Sequence, residues 1–165
     1  MIRDTNFKDA KILIVDDKQS NIDILTSMLI IENYTNVKFT TDPYTVEALL
    51  TSFEPDLILL DLIMPGLSGF DILEIIKLKK MNSIFSDNFT PILVLTADLG
   101  TENKKKVLAG GAKDFIMKPF DIIEVSLRIK NLLETKYFYQ LLKSRNMFLE
   151  QKIIEFLKLK DEWYR

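Results

Sequence analysis

Three aspartates, a threonine and a lysine each stand directly behind a short apolar run. The run 12–15 is followed by Asp16 and Asp17, the run 57–60 by Asp61, the run 92–95 by Thr96, and the run 115–117 by Lys118. Carboxylates, a hydroxyl and an ammonium in one place suit a narrow chemistry, the holding of a hard divalent cation and a phosphoryl group. A carboxylate oxygen can attack phosphorus and form a mixed anhydride. Both partners are negative, so the attack needs Mg²⁺ or Mn²⁺ between them, bound by carboxylates, a carbonyl and water. A lysine and a hydroxyl then neutralise and orient the equatorial oxygens. Composition closes other routes. The 165 residues include no Cys and no His, which excludes disulfides, thiolate zinc sites, cysteine nucleophiles and histidine general bases.

Taken singly, each residue has a plainer explanation. Asp16 and Asp17 would serve as a turn and helix cap, and Asp61 would cap the bend at Met64, Pro65 and Gly66. Thr96 alone would be a satisfied strand-end hydroxyl, Phe115 a core aromatic, and Lys118 a solvated charge. Their shared position behind four apolar runs favours the joint reading. These runs are too short for helices and largely unalternated, as strands buried on both faces of a parallel sheet are. A weaker fifth candidate lies at 37–40. Helical stretches lie between them at 21–31, 44–52, 69–81 and 101–109, and 82–90 reads as a surface loop. Five βα units in succession predict an α/β domain, a doubly wound parallel sheet wrapped by helices, and such sheets bind ligands beyond the carboxyl ends of their strands.

From residue 121 the pattern is helical to the end, without Gly or Pro, a rod of roughly 65 Å if continuous. A heptad frame puts Leu132, Tyr139, Asn146 and Ile153 at a and Leu142, Leu149, Phe156 and Trp163 at d, with Thr135 and Lys160 as polar exceptions. That seam predicts a parallel homodimer whose register Asn146 fixes. The rival arrangement folds the tail back on its own domain. The expected organisation is a lead-in at 1–9, a domain at 10–133 and a coiled-coil extension at 134–165. A net charge of −2 with 47% hydrophobic residues describes a globular chain without general affinity for nucleic acid or anionic lipid. No run is long enough to span a membrane, the start lacks the order of a secretory signal, and no basic recognition helix is evident. The expectation is a cytoplasmic protein that does not itself bind DNA.

The segments ILIVDD at 12–17, LLDLIMPGLSGFDIL at 59–73, LVLTAD at 93–98 and KPF at 118–120 resemble the receiver domain of two-component response regulators over residues 10–133. The resemblance implies a flavodoxin-like sheet of order 2-1-3-4-5 and a phosphoryl group donated by a histidine kinase or phosphotransfer protein. Asp61 would be the phosphoacceptor. Asp16, Asp17, Asp61 and the backbone carbonyl of Ile63 would hold the metal. Thr96 and Phe115 would be the switch residues, and Lys118 the phosphate-binding lysine, joined to Pro119 by a cis bond. The lifetime of the phosphoryl group would turn on Ile63 and Asp98. A haloacid-dehalogenase-type phosphatase fits less well, because it needs a second Asp where this chain has Ile63. Receivers followed by such a helix often precede cyclic-di-nucleotide cyclase or phosphodiesterase domains, so the chain is also readable as the front of a longer enzyme.

Overall fold

Branched apolar residues in unbroken runs make strands that satisfy both faces of a central sheet. The computed structural model describes residues 7–82, 89–97 and 100–163. Its strands are β1 (Lys11–Val15), β2 (Asn36–Thr40), β3 (Leu57–Asp61), β4 (Ile92–Thr96) and β5 (Asp114–Met117). They form one parallel sheet of order β2-β1-β3-β4-β5. The helices are α1 (Gln19–Ile31), α2 (Val46–Phe53), α3 (Gly69–Asn82), α4 (Thr101–Ala109) and α5 (Ile122–Trp163). The sheet order and the long last helix are those expected from the sequence. β3 and β4 are buried along their whole length, whereas the edge strand β2 is largely exposed, which is why its sequence signal is weak. Part of the expected loop at 82–90, residues 83–88, lies outside the described residues.

Successive strand residues face opposite sides and build two cores. Leu13, Val15, Ile58, Leu60, Ile92 and Val94 join residues of α2, α3 and α4, among them Phe53, Ile76 and Val107. Ile12, Ile14, Leu57, Leu59, Leu93 and Leu95 pack with α1 and with Val125, Ile129, Leu132 and Leu133 of α5. Leu132, expected at a dimer seam, instead packs in the core of the domain. It is 9% exposed because the sheet-facing stripe of α5 runs on through it, so the heptad frame is broken at its first position.

Contact between the body and α5 continues past residue 133. Lys136 is buried and pairs with Asp56 at 2.6 Å. Phe7, in a 3-10 turn at Phe7–Asp9, meets Tyr137 edge-on at 6.1 Å between ring centroids. Phe89 lies 5.3 Å from Tyr139. These contacts collar the helix as it leaves the sheet, and Phe7, from the expected lead-in, packs on it. Beyond the collar α5 is one unbroken helix rather than a hairpin, and Leu142, Leu149, Ile153, Phe156 and Trp163 are exposed. No helix among the described residues is long and apolar enough to cross a membrane.

The placement of Leu132 has a measurable consequence. Leu132→Ala is expected to lower unfolding free energy by about 2–3 kcal/mol, and Leu141→Ala, half-exposed beyond the collar, by less than about 0.5 kcal/mol. Urea denaturation of the two variants checks the difference.

Candidate metal and phosphoryl site

Register places the chemistry at one edge. Val15 pairs with Leu60, so Asp16 and Asp61 each lie one residue beyond a paired couple on adjacent strands. Asp61 pairs with Leu95, one residue before Thr96, and Thr96 pairs with Met117, one residue before Lys118. The Lys118 amide donates to the Thr96 carbonyl at 2.8 Å, and the Lys118–Pro119 bond is cis, as expected from the sequence.

The side chains meet there. The Lys118 ammonium donates to Asp16 Oδ2 and to Asp61 Oδ2, both at 2.7 Å. Burial, the largest single influence on that ammonium, pulls its pKa down. The hydrogen bonds and charges of Asp16 and Asp61 together outweigh burial and hold it above the ordinary lysine value. Asp16 and Asp61 are 2% and 5% exposed, and Thr96 is fully buried. Asp16 is further fixed by the Lys18 amide at 2.9 Å and by the Asn21 side-chain amide, which reaches both carboxylate oxygens at 3.0 and 2.9 Å. Asp61 Oδ1 accepts from the Ile63 amide at 3.2 Å.

Asp17 differs from its neighbours. Its Oδ1 is buried and has no hydrogen-bond partner, a costly condition for a carboxylate oxygen. One oxygen from each of Asp16, Asp17 and Asp61 lies within 4.8 Å of the others. Three clustered carboxylates with one orphaned oxygen fit a hard divalent cation.

The turn after β3 is built to bring α3 close. Gly66 has a φ of 84°, the left-handed region that glycine enters freely. A Cβ on Gly69 would lie 2.3 Å from the Asp61 carbonyl oxygen and 2.6 Å from Leu62 Cα, so only glycine fits there. The Gly69 amide donates to the Leu62 carbonyl at 3.0 Å. Ser68 and Asp71 cap the start of α3 reciprocally: the Ser68 hydroxyl donates to Asp71 at 2.6 Å and accepts from its amide at 3.3 Å.

The structure thus brings together Asp16, Asp17, Asp61 and Lys118, with Thr96 and Ile63 joined through the backbone. Phe115 stands apart. It is half-buried against the core on the α2–α4 side, with the Lys104 ammonium 5.5 Å from its ring centroid. Asp98 lies outside the described residues. Sequence reasoning missed Asn21, whose only signal is a polar side chain in the first turn of α1, and Gly69, signalled by a glycine eight residues after Asp61 at the start of a helix.

Residues 12–130 match the response regulator receiver domain family. The chain is 32% identical over 136 residues to the response regulator PleD of Caulobacter vibrioides, covering 82% of this chain and 29% of PleD. It is 33% identical over 143 residues to the response regulator ArlR of Staphylococcus saprophyticus, covering 86% of this chain and 60% of ArlR. The crystal structure of a response regulator receiver domain protein (CheY-like) from Methanospirillum hungatei superposes with a TM-score of 0.70 at 26% identity, over 79% of this chain and 98% of that one. The chain spans less than two thirds of the length of these two curated relatives.

Crowded like charges make the site destabilising without a cation. In buffer containing EDTA, Asp17→Asn is expected to raise stability by about 1 kcal/mol through relief of repulsion. Added MgCl₂ should raise the melting temperature of the parent by mass action and leave that of Asp17→Asn nearly unchanged. Thermal unfolding across an Mg²⁺ titration reads both, and a parent indifferent to Mg²⁺ overturns the metal reading.

Proposed function

The chain belongs to the response regulator receiver domain family, and on that premise we propose that it is a two-component switch phosphorylated on Asp61 by a histidine kinase or phosphotransfer protein. The observation that carries this reading is the Lys118 ammonium bonded to both Asp16 and Asp61, beside the orphaned Asp17 oxygen. An Asp61 oxygen forms a bond to phosphorus as the donor's N–P bond breaks. Asp16, Asp17, Asp61 and the Ile63 carbonyl would hold Mg²⁺ or Mn²⁺, which would neutralise the phosphoryl oxygens when bound. Lys118 exchanges the Asp61 carboxylate for the new phosphoryl oxygens, and the Thr96 hydroxyl donates to the same group. Phe115, one strand over from Thr96, follows that movement and alters the α4–α5 surface. The chemistry is self-modification, not turnover of an external substrate, and takes place in the cytoplasm.

Incubation with acetyl phosphate and Mg²⁺ should raise the intact mass by one phosphoryl group. Asp61→Asn should abolish the gain, and EDTA should prevent it. Labelling that persists in Asp61→Asn moves the acceptor elsewhere.

The output side of the proposal is a parallel homodimer through the protruding part of α5. Leu142, Leu149, Ile153 and Phe156 form its seam with Trp163 and Asn146 sets register, whereas Tyr139, expected at the seam, packs in the collar against Phe89. Each exposed leucine or isoleucine so covered contributes on the order of 1.5–3 kcal/mol before ordering entropy is subtracted. The full chain is expected to sediment as a dimer at micromolar concentration, and the double variant Leu149→Glu, Ile153→Glu as a monomer. A monomeric parent removes the seam.

A second reading makes the receiver and helix the regulatory portion of a longer polypeptide, such as a cyclic-di-nucleotide cyclase or phosphodiesterase. The 29% share of PleD that the chain spans favours the longer polypeptide. Immunodetection of the native protein in lysate, with a 19.2 kDa standard, distinguishes the readings.

A further inference from the structure

The protruding part of α5 exposes more apolar surface than a two-stranded seam covers. Leu141, Phe148 and Leu159 are 50%, 57% and 53% exposed, and each stands one position before a position of the seam. One residue turns a helix by about 100°, so these three lie on a second stripe, on a different face from Leu142, Leu149 and Ile153. Arg145, Lys152 and Glu155 complete that stripe, each also one position before a seam position. The steps along 141, 145, 148, 152, 155 and 159 alternate four and three. That spacing reads the same in both directions about residue 150, so a copy of the stripe meets it level for level when turned end over end.

Charge decides between the two directions. A parallel copy sets Arg145, Lys152 and Glu155 each against its own like charge. An antiparallel copy centred on residue 150 sets Leu141 against the partner's Leu159, Arg145 against the partner's Glu155, and Phe148 against the partner's Lys152. Two-fold symmetry makes each of these contacts twice. Among the described residues Arg145 forms no salt bridge. Glu155 Oε2 accepts from Lys152 at 2.7 Å, which leaves Oε1 to accept from a guanidinium. The Lys152 ammonium lies 5.9 Å from the centroid of its own chain's Phe148, so the face of this ring already attracts a cation. The same register sets Tyr137 opposite the partner's Trp163, and so covers the arm from collar to tip. Sliding the copy by one heptad one way sets Leu141 against the partner's Lys152 and Arg145 against the partner's Phe148. Sliding it the other way carries Leu141 past the partner's Trp163.

We propose that this stripe is a docking surface for a second copy of the chain, lying antiparallel with residue 150 at the centre of the contact. The contact goes beyond the parallel seam and does not require it, because the two occupy different faces of α5. With both faces filled, it joins one parallel dimer to the next and places their bodies at opposite ends of the paired arms. The stripe holds three apolar residues against the five exposed at the seam, so it fills at the higher concentration.

The chain has no cysteine, so introduced single thiols report the register. With a short bis-maleimide and the full chain at about 100 micromolar, Leu141→Cys mixed with Leu159→Cys should give a linked dimer. Either variant alone should not, because like positions then lie about 27 Å apart along the axis. Arg145→Glu in both partners should slow the mixed linkage about ten-fold, and adding Glu155→Arg should restore it. Ile153→Cys linking to itself reports the parallel seam, so the two contacts are read separately. Three outcomes overturn the proposal: no linkage of the mixed pair, self-linkage of Leu141→Cys as fast as the mixed linkage, or no recovery in the charge-reversed double variant.

Discussion

Three carboxylates within 4.8 Å of one another repel. Their local counter-charge is the Lys118 ammonium, shared between Asp16 and Asp61. That one group joins the ends of β1, β3 and β5, strands far apart in sequence. Removing it would leave two buried anions side by side, a loss of the kind that costs several kcal/mol. The site therefore opposes folding, and the rest of the molecule must offset it. It does so with two apolar layers, one on each face of the sheet, and with strands buried from end to end at its centre.

That division of labour explains what could be read from the sequence. Unbroken apolar runs identify β3 and β4, and the residue after each run identifies the site, because parallel strands must all end at the same edge. β2 is faint because an edge strand leaves Asn36, Lys38 and Phe39 exposed and lacks an unbroken apolar run. The turn at Phe7–Asp9 was invisible: three residues have no periodicity, and tertiary contacts to Tyr137 and the backbone near Tyr34 hold it. Asn21 looked like any polar residue at a helix start. Its work on Asp16 exists only once α1 is packed under β1.

The misplacement of Leu132 has a geometric cause. A heptad repeat and a 3.6-residue turn differ by about 20° per seven residues, so a frame fitted to the exposed half of α5 also fits its buried half. Sequence alone does not say where the sheet ends and the solvent begins. Lys136 misleads in the same way, since a lysine reads as solvated until Asp56 is found beside it at 2.6 Å.

The continuity of α5 makes it a lever. The inner half is keyed into the core by Val125, Ile129 and Leu133, and the collar at Lys136, Tyr137 and Tyr139 acts as a fulcrum. From Lys136 to Trp163 the arm is about 40 Å long. A tilt of about 5° at the fulcrum carries its tip through roughly 3.5 Å, about two thirds of the rise of one helical turn. A small tilt of the packed inner half would thus become a larger displacement at the far end. A stiff arm transmits direction as well as distance, so the sense in which α5 leans is information that a flexible linker would have erased.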